Sequence, residues 1–158
     1  MEHLFKTLSN NYKTTLFMTQ QNIVLVQKSW AIVAQLEMEL VGSLFYNRLF
    51  ELMPELRPMF YRSSMPDQSK KLLTMLGYVI AKLDKLDEIL DEVEKLARRH
   101  SQYGVKEEHY TAVGAALLYT LEKGLREHWN SELEVAWTEV YTILANAMMA
   151  VQNEYTRA

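Results

Sequence analysis

Apolar residues recur every three or four positions along most of this chain, a spacing that places them on one face of an α-helix. The clearest example is the stretch from Leu86 to Tyr110, whose apolar positions are Leu86, Ile89, Leu90, Val93, Leu96 and Ala97. His100 follows on the same face, and Gly104 predicts that the helix ends shortly afterwards. The pattern therefore predicts a helix that carries one histidine to the edge of an apolar pocket, where it could serve as a metal ligand.

Similar apolar stripes predict helices before this stretch. One helical segment begins near Ile23 and continues to Met53. Pro54 ends it, because proline lacks the amide hydrogen and restricts the residue before it. A short element from Glu55 to Tyr61 then precedes another helix, for which Asp67 is the expected N-cap.

Two long helices are predicted in the last third of the chain. The first runs from Glu107 to about Glu127, and the second is expected to begin with a capping box of Ser131 and Glu134. The residues of the last helix expected to face inward are Val135, Ala136, Tyr141, Leu144 and Met148. The whole pattern predicts an all-α fold of six to eight helices around one core.

Composition supports one helical domain and excludes several functional classes. The chain has 158 residues, with only five glycines and three prolines, and no cysteine. The absence of cysteine excludes disulfides, thiolate metal sites and cysteine nucleophiles. The net charge is -3 with both signs interspersed, so we expect no nucleic-acid partner. No apolar run approaches the ~20 residues of a membrane helix, and we expect a cytoplasmic protein.

Residues 1–17 differ from the rest of the chain. Apolar residues recur at every fourth position (Leu4, Leu8, Tyr12 and Leu16), but serine, asparagine and threonine residues between them weaken a helix. Two interpretations stay open: an extension outside the fold, upstream of a natural start at Met18, or a helix that docks on a partner or a membrane surface. We expect the folded domain to comprise residues 18–158.

Four stretches, taken together, resemble the globin family, and specifically the single-domain bacterial globins related to flavohaemoglobins. They are LFYNRLFELMPELRPMF (Leu44 to Phe60), DQSKKLLTMLG (Asp67 to Gly77), LARRHSQYGVKEEHYTAVGAALL (Leu96 to Leu118) and the weaker AWTEVYTILAN (Ala136 to Asn146). The resemblance extends over roughly residues 23–154 and depends on the order and spacing of all four. It implies a globin fold around a haem b, which is bound non-covalently because no cysteine is present for thioether attachment.

The resemblance also implies roles for individual residues. His100 would be the axial ligand of the haem iron, and Tyr46 and Gln68 would be distal hydrogen-bond donors. The other residues expected to contact the haem or its axial ligand are Phe60, Lys71, Leu72, Leu96, Tyr110 and Glu154. Tyr110 and Glu154 would pair with the proximal histidine, and the match of Glu154 requires a small insertion near Trp129.

Some residues keep a simpler interpretation. Lys71 could pair with a haem propionate or could be an ordinary solvated lysine. The other histidines (His3, His109 and His128) are expected to lie outside the site, and the nine methionines are expected to fill the core.

The implied site is compatible with three functions. The first is reversible binding of O2 and of other diatomic gases such as NO and CO, with slow O2 release. The second is a nitric oxide dioxygenase that converts NO and O2 to nitrate. Because no glycine-rich dinucleotide loop follows the globin region, this enzyme would need a separate reductase. The third, a gas sensor, ranks last because we recognise no output domain.

Overall fold

The computed structural model describes residues 18–157, so the predictions for residues 1–17 lie outside the described residues. Within these residues, six α-helices follow one another: α1 (Gln20–Val33), α2 (Met38–Leu52), α3 (Met65–Ala81), α4 (Leu90–Gln102), α5 (Glu107–Leu125) and α6 (Ser131–Arg157). Three short 3-10 helices lie between them, at Pro54–Phe60, Leu86–Ile89 and Arg126–His128. The predicted all-α fold is confirmed.

The segment predicted as one helix from Ile23 to Met53 is in fact two helices. The chain turns between α1 and α2, where the amide of Leu36 donates to the carbonyl of Val33 at 3.0 Å. The turn places Leu36 against α5, 3.4 Å from the position that a Cβ on Gly124 would occupy. Neither glycine nor proline marks this break, so it depends on tertiary packing and has no local sequence signal.

Two helices begin with caps that differ from the predicted ones. The Ser64 hydroxyl accepts a hydrogen bond from the Asp67 amide at 3.3 Å, so Ser64 is the N-cap of α3. Asn130 Oδ1 accepts from the Leu133 amide at 2.9 Å and caps α6 in place of the predicted capping box. In both cases the side chain of a serine or asparagine just upstream of the predicted cap accepts a hydrogen bond from a free backbone amide of the first turn. That upstream residue is therefore the N-cap.

Two hydrophobic clusters form the interior of the described part of the chain. The larger cluster joins α1, α2, α3, α5 and the first half of α6, and Val26 and Leu121 at its centre are completely buried. The smaller cluster lies between α4 and the second half of α6 and contains Ala97, Ala147 and Val151. The helices that carry Gln68 and His100 therefore pack in different clusters: α3 mainly on α2, and α4 mainly on α6.

The buried face of α6 includes one difference from the predicted set. Val135 is 64% exposed, whereas Ala136, Trp137 and Val140 are buried. The buried stripe is centred on Trp137, whose indole nitrogen donates to the Ser29 hydroxyl at 2.9 Å, and Val135 falls outside it. No helix within residues 18–157 is long and apolar enough to cross a membrane.

Candidate functional site

Tyr46 and Gln68, which are 22 residues apart in sequence, meet between α2 and α3. The Gln68 side-chain amide donates to the Tyr46 hydroxyl oxygen at 3.4 Å, a long hydrogen bond. Tyr46 is buried and Gln68 is half-buried. The structure therefore brings together the two polar side chains that were predicted as distal donors.

The close approach of the two helices explains this contact. A Cβ added to Gly42 of α2 would lie 1.8 Å from the Ser69 hydroxyl oxygen and 2.9 Å from the Ser69 Cα. Tyr46 lies one helical turn after Gly42, and Gln68 directly precedes Ser69. Since only glycine leaves enough room at position 42, this residue determines how near the Tyr46 and Gln68 side chains can come.

Aromatic rings form one wall of a cavity beside this pair. The Phe60 ring centroid lies 5.3 Å from that of Tyr46 and 5.6 Å from that of Phe50. The cavity has a volume of about 160 Å³, and Tyr46, Phe60 and Gln68 all contribute to its lining. Its walls thus combine apolar rings with several polar side chains, which besides Tyr46 and Gln68 include Arg57, Tyr61, Ser63 and Ser64. This lining suits a small ligand that has a dipole.

The Tyr46 hydroxyl remains protonated at neutral pH. Burial raises its pKa above the ordinary value of 10.0, and the hydrogen bond from Gln68 lowers it by a smaller amount. Because Gln68 donates to the hydroxyl oxygen, the hydroxyl hydrogen of Tyr46 is left to point elsewhere. Tyr46 can therefore donate to a molecule in the cavity.

His100 occupies the last turn of α4, as the sequence predicts, and the helix ends two residues later. Gly104 adopts a positive φ of 72° just beyond that end. The Nδ1 atom of His100 lies 2.8 Å from the backbone carbonyl oxygen of Leu96. Because a carbonyl can only accept, Nδ1 must carry the hydrogen, and the lone pair resides on Nε2.

The surroundings of His100 keep its ring neutral. Its pKa lies below the ordinary value of 6.5, mainly because burial disfavours the charged ring. The hydrogen bond to Leu96 raises the pKa by a smaller amount, and the nearby charge of Arg99 lowers it. A neutral imidazole with a free Nε2 lone pair is the form that binds a metal ion. The predicted axial ligand therefore has the protonation state that its role requires.

Tyr110 packs against the ring of His100. The two ring centroids are 6.0 Å apart and the planes are 24° from parallel. The Tyr110 hydroxyl donates to Oε1 of Gln152 at 2.9 Å, while its backbone carbonyl accepts from the Tyr141 hydroxyl. Burial raises the pKa of Tyr110 to about 12, so this hydroxyl also stays protonated. Tyr110 is thus held from both ends beside the histidine.

The position of Glu154 is a correction, because the resemblance implied that Glu154 and Tyr110 would both pair with His100. Glu154 is exposed on α6, and Gln152 contacts Tyr110. The reason is geometric, since a shift of two positions rotates a side chain by roughly 200° around the helix axis. A signal for Gln152 was present in the sequence, because it continues the inward stripe of Leu144 and Met148 at the next fourth position.

The remaining predicted residues occupy intermediate or surface positions. Phe60, Leu72 and Leu96 are half-buried, whereas Lys71 is exposed. Half-buried apolar side chains of this kind fit a large apolar cofactor that would cover them, and the neutral His100 imidazole supplies a nitrogen ligand for its metal. These residues therefore fit a haem.

Two further histidines can be assigned from the structure. His109 accepts a hydrogen bond from the Lys106 amide at 2.9 Å at the start of α5, and His128 is exposed in the 3-10 helix before α6. Both positions agree with a location outside the site. His3 lies outside the described residues.

Comparison with known proteins identifies the family. A family model described as Globin matches residues 43–148, which is more than half of the chain. This chain belongs to the globin family. Membership implies haem binding, in agreement with the donor set at His100, and the predicted resemblance to flavohaemoglobin-like bacterial globins is confirmed.

The most similar relatives by sequence include two flavohemoproteins. One, from Oceanobacillus iheyensis, is 31% identical over 118 residues, which are 73% of this globin and 29% of the relative. Another, from Bacillus subtilis, is 26% identical over 139 residues, which are 87% of this globin and 35% of the relative. The chain thus spans about a third of the length of these relatives.

Solved structures with the same fold include two whose chains are covered almost completely. A bacterial globin from Campylobacter jejuni is 25% identical, with a TM-score of 0.77 over 89% of this chain and 100% of the other. An engineered carbene transferase from Rhodothermus marinus is 22% identical, with a TM-score of 0.77 over 89% of this chain and 97% of the other. The globin fold is therefore confirmed.

Proposed function

We propose that this globin binds O2 reversibly through a non-covalent haem b, with His100 as the axial ligand of the iron. The observation that supports this most directly is the contact of Gln68 with Tyr46, because it leaves a protonated hydroxyl free to donate beside an aromatic cavity. When bound, the haem supplies an iron atom with one open position for a diatomic gas such as O2, NO or CO.

The distal residues would slow the release of O2. A hydrogen bond to a partly negative ligand contributes about 1.5–3 kcal/mol. Because every ~1.4 kcal/mol is a factor of ten, one such bond from Tyr46 slows dissociation by about one to two orders of magnitude. Gln68 orients the Tyr46 hydroxyl and is a second donor, and Phe60 and Leu72 exclude water.

The proximal residues would hold the cofactor in place. The bond from His100 Nδ1 to the Leu96 carbonyl orients the ring with Nε2 free, and Tyr110 stacks on its face. The Leu96 side chain would pack on the porphyrin. Lys71 is exposed, which leaves its amino group available to a haem propionate at the solvent edge.

Nitric oxide dioxygenation is a second candidate function. It is favoured by the 31% identity with a flavohemoprotein, of which this chain spans only 29%. An external reductase would then have to return the iron to the ferrous state after each turnover. Rapid mixing of the oxygenated protein with NO, with and without a reductase system, distinguishes the two functions: a single stoichiometric turnover that no reductant can restore would leave reversible binding as the function.

The axial role of His100 is tested by an absorption spectrum. We expect the purified wild-type protein to show a Soret band and His100→Ala to lose the haem or its normal spectrum. His128→Ala, which replaces an exposed histidine, is the matched control and should behave as the wild type. A five-coordinate ferrous spectrum retained in His100→Ala would overturn the assignment.

A further inference from the structure

We propose that Gln152 is a positioning residue that holds Tyr110 against His100 through an uncharged amide, where the resemblance implied a carboxylate. The consequence is a proximal side that orients the histidine without pushing negative charge toward the iron. This inference rests on the proposed function, since it assumes that His100 is the axial ligand.

Gln152 connects three parts of the proximal side. Its Oε1 accepts from the Tyr110 hydroxyl at 2.9 Å, and its Nε2 donates to the backbone carbonyl of Val105. The backbone amide of Val105 in turn donates to the carbonyl of His100 at 3.0 Å. The Gln152 side chain on α6 therefore anchors two features of the proximal side. One is the Tyr110 ring, which stacks on His100, and the other is the loop that follows His100.

The pattern of donors and acceptors requires an amide at position 152. The Val105 carbonyl can only accept, so it needs a donor, and an ionised carboxylate has only acceptors. Once Nε2 faces Val105, the oxygen of the same amide faces Tyr110, which fixes the hydroxyl of Tyr110 as the donor. A glutamate here would lose the bond to Val105 and place a negative charge beside a carbonyl oxygen.

The effect on His100 follows from the type of acceptor. A carboxylate near a metal-bound histidine raises the basicity of the ligand and increases electron density on the metal. Here the Nδ1 hydrogen of His100 goes to the neutral backbone carbonyl of Leu96, and Tyr110 is anchored by a neutral amide. A weaker push of electron density favours reversible binding of O2 over its activation.

Three variants separate the effect of charge from the effect of the hydrogen bonds. Gln152→Glu introduces a charge at the anchor, Gln152→Leu removes both hydrogen bonds without a charge, and Asn153→Asp adds a charge at the next, exposed position of α6. The readouts are the ferric/ferrous midpoint potential and the iron–histidine stretching frequency of the ferrous protein. We expect Gln152→Glu to lower the potential and raise the frequency, and Asn153→Asp to leave both as in the wild type.

The contrary results are equally specific. If Gln152→Glu leaves both quantities unchanged, or if Asn153→Asp shifts them by as much, the proposal is overturned. If Gln152→Glu does not fold, the test depends on Gln152→Leu. A midpoint potential close to that of the wild type, together with a changed iron–histidine stretching frequency, supports an uncharged positioning role for Gln152. An unchanged stretching frequency contradicts that role.

A measurement on the haem-free protein separates this inference from the proposed function. Because the Gln152 amide donates to Val105, its side-chain protons should exchange slowly with solvent in NMR spectra, and their signals are assigned by their loss in Gln152→Leu. Fast exchange overturns the anchor even if the protein binds haem. Slow exchange in a protein that never acquires a Soret band supports the anchor and refutes the haem function instead.

Discussion

Gly42 and Ser69 are in such close contact that a methyl group on Gly42 would overlap the Ser69 hydroxyl, at 1.8 Å. This contact lies at the crossing of α2 and α3, one turn from Tyr46 and one residue from Gln68. The geometry of the Tyr46–Gln68 pair therefore depends on these two small residues.

Gly42→Ala should destabilise the protein by about 3 kcal/mol or more, because the added carbon meets a backbone atom as well as a side chain. Urea unfolding measures this loss. Gly77→Ala is the matched control, since its Cβ would find its nearest neighbour at 3.5 Å, and alanine is favoured over glycine in a helix by roughly 0.5–1 kcal/mol. Equal destabilisation by both substitutions would show that the crossing is not the cause.

Ser69→Ala should leave stability unchanged or raise it by up to about 1 kcal/mol. The Ser69 hydroxyl is fully buried and has no hydrogen-bond partner among the described residues, so its removal loses no bond. Ser29→Ala is the contrasting variant, because the Ser29 hydroxyl accepts from Trp137 and donates to the Leu25 carbonyl. We expect it to cost about 1–3 kcal/mol in urea unfolding. A comparable loss in Ser69→Ala would contradict the prediction.

Tyr46→Phe should raise the O2 dissociation rate at least tenfold, because it removes a hydrogen bond worth about 1.5–3 kcal/mol to the bound gas. Stopped-flow displacement of O2 by CO measures the rate. Tyr61→Phe removes a hydroxyl from the same cavity lining at a residue that is 74% exposed, and it should leave the rate unchanged. An unaltered rate in Tyr46→Phe would remove Tyr46 from the mechanism.

Stability should fall in alkali partly because of Tyr141. Burial raises its pKa above the ordinary value of 10.0, and the neighbouring Tyr110 raises it further. Above pH ~10 the unfolded chain therefore releases a proton that the folded protein retains, so ionisation favours unfolding. Below pH ~10 Tyr141 is protonated in both states and contributes no pH dependence.

Comparison with Tyr141→Phe isolates this contribution. The wild type should be more stable at neutral pH, because its hydroxyl donates to the Tyr110 carbonyl. That advantage in the free energy of unfolding should shrink as the pH rises above ~10, since only the wild type has this group to ionise. A constant difference between the two proteins across this range would contradict the assignment.

Local sequence signals predicted much of the fold and the place of His100 at the end of a helix. The apolar spacing through Leu96 and the glycine at position 104 place His100 at the end of a helix, and the structure confirms both the helix and its end. The same signals failed where packing decides, as at the turn around Leu36, which contains neither glycine nor proline, and at Val135, which lies beside the buried stripe.

The sequence by itself determined the helical periodicity, the family and the kinds of side chain available for a haem site, because these depend on spacing and residue type. Only the tertiary structure decided which partners those side chains meet. Gln152 reaches Tyr110 across 42 residues, and Gln68 reaches Tyr46 across 22. The physical reason is that periodicity is a property of a single helix, whereas a hydrogen bond between helices depends on how each helix is rotated relative to its neighbour. A difference of two positions along α6 is enough to make Gln152, and not Glu154, the residue that faces Tyr110.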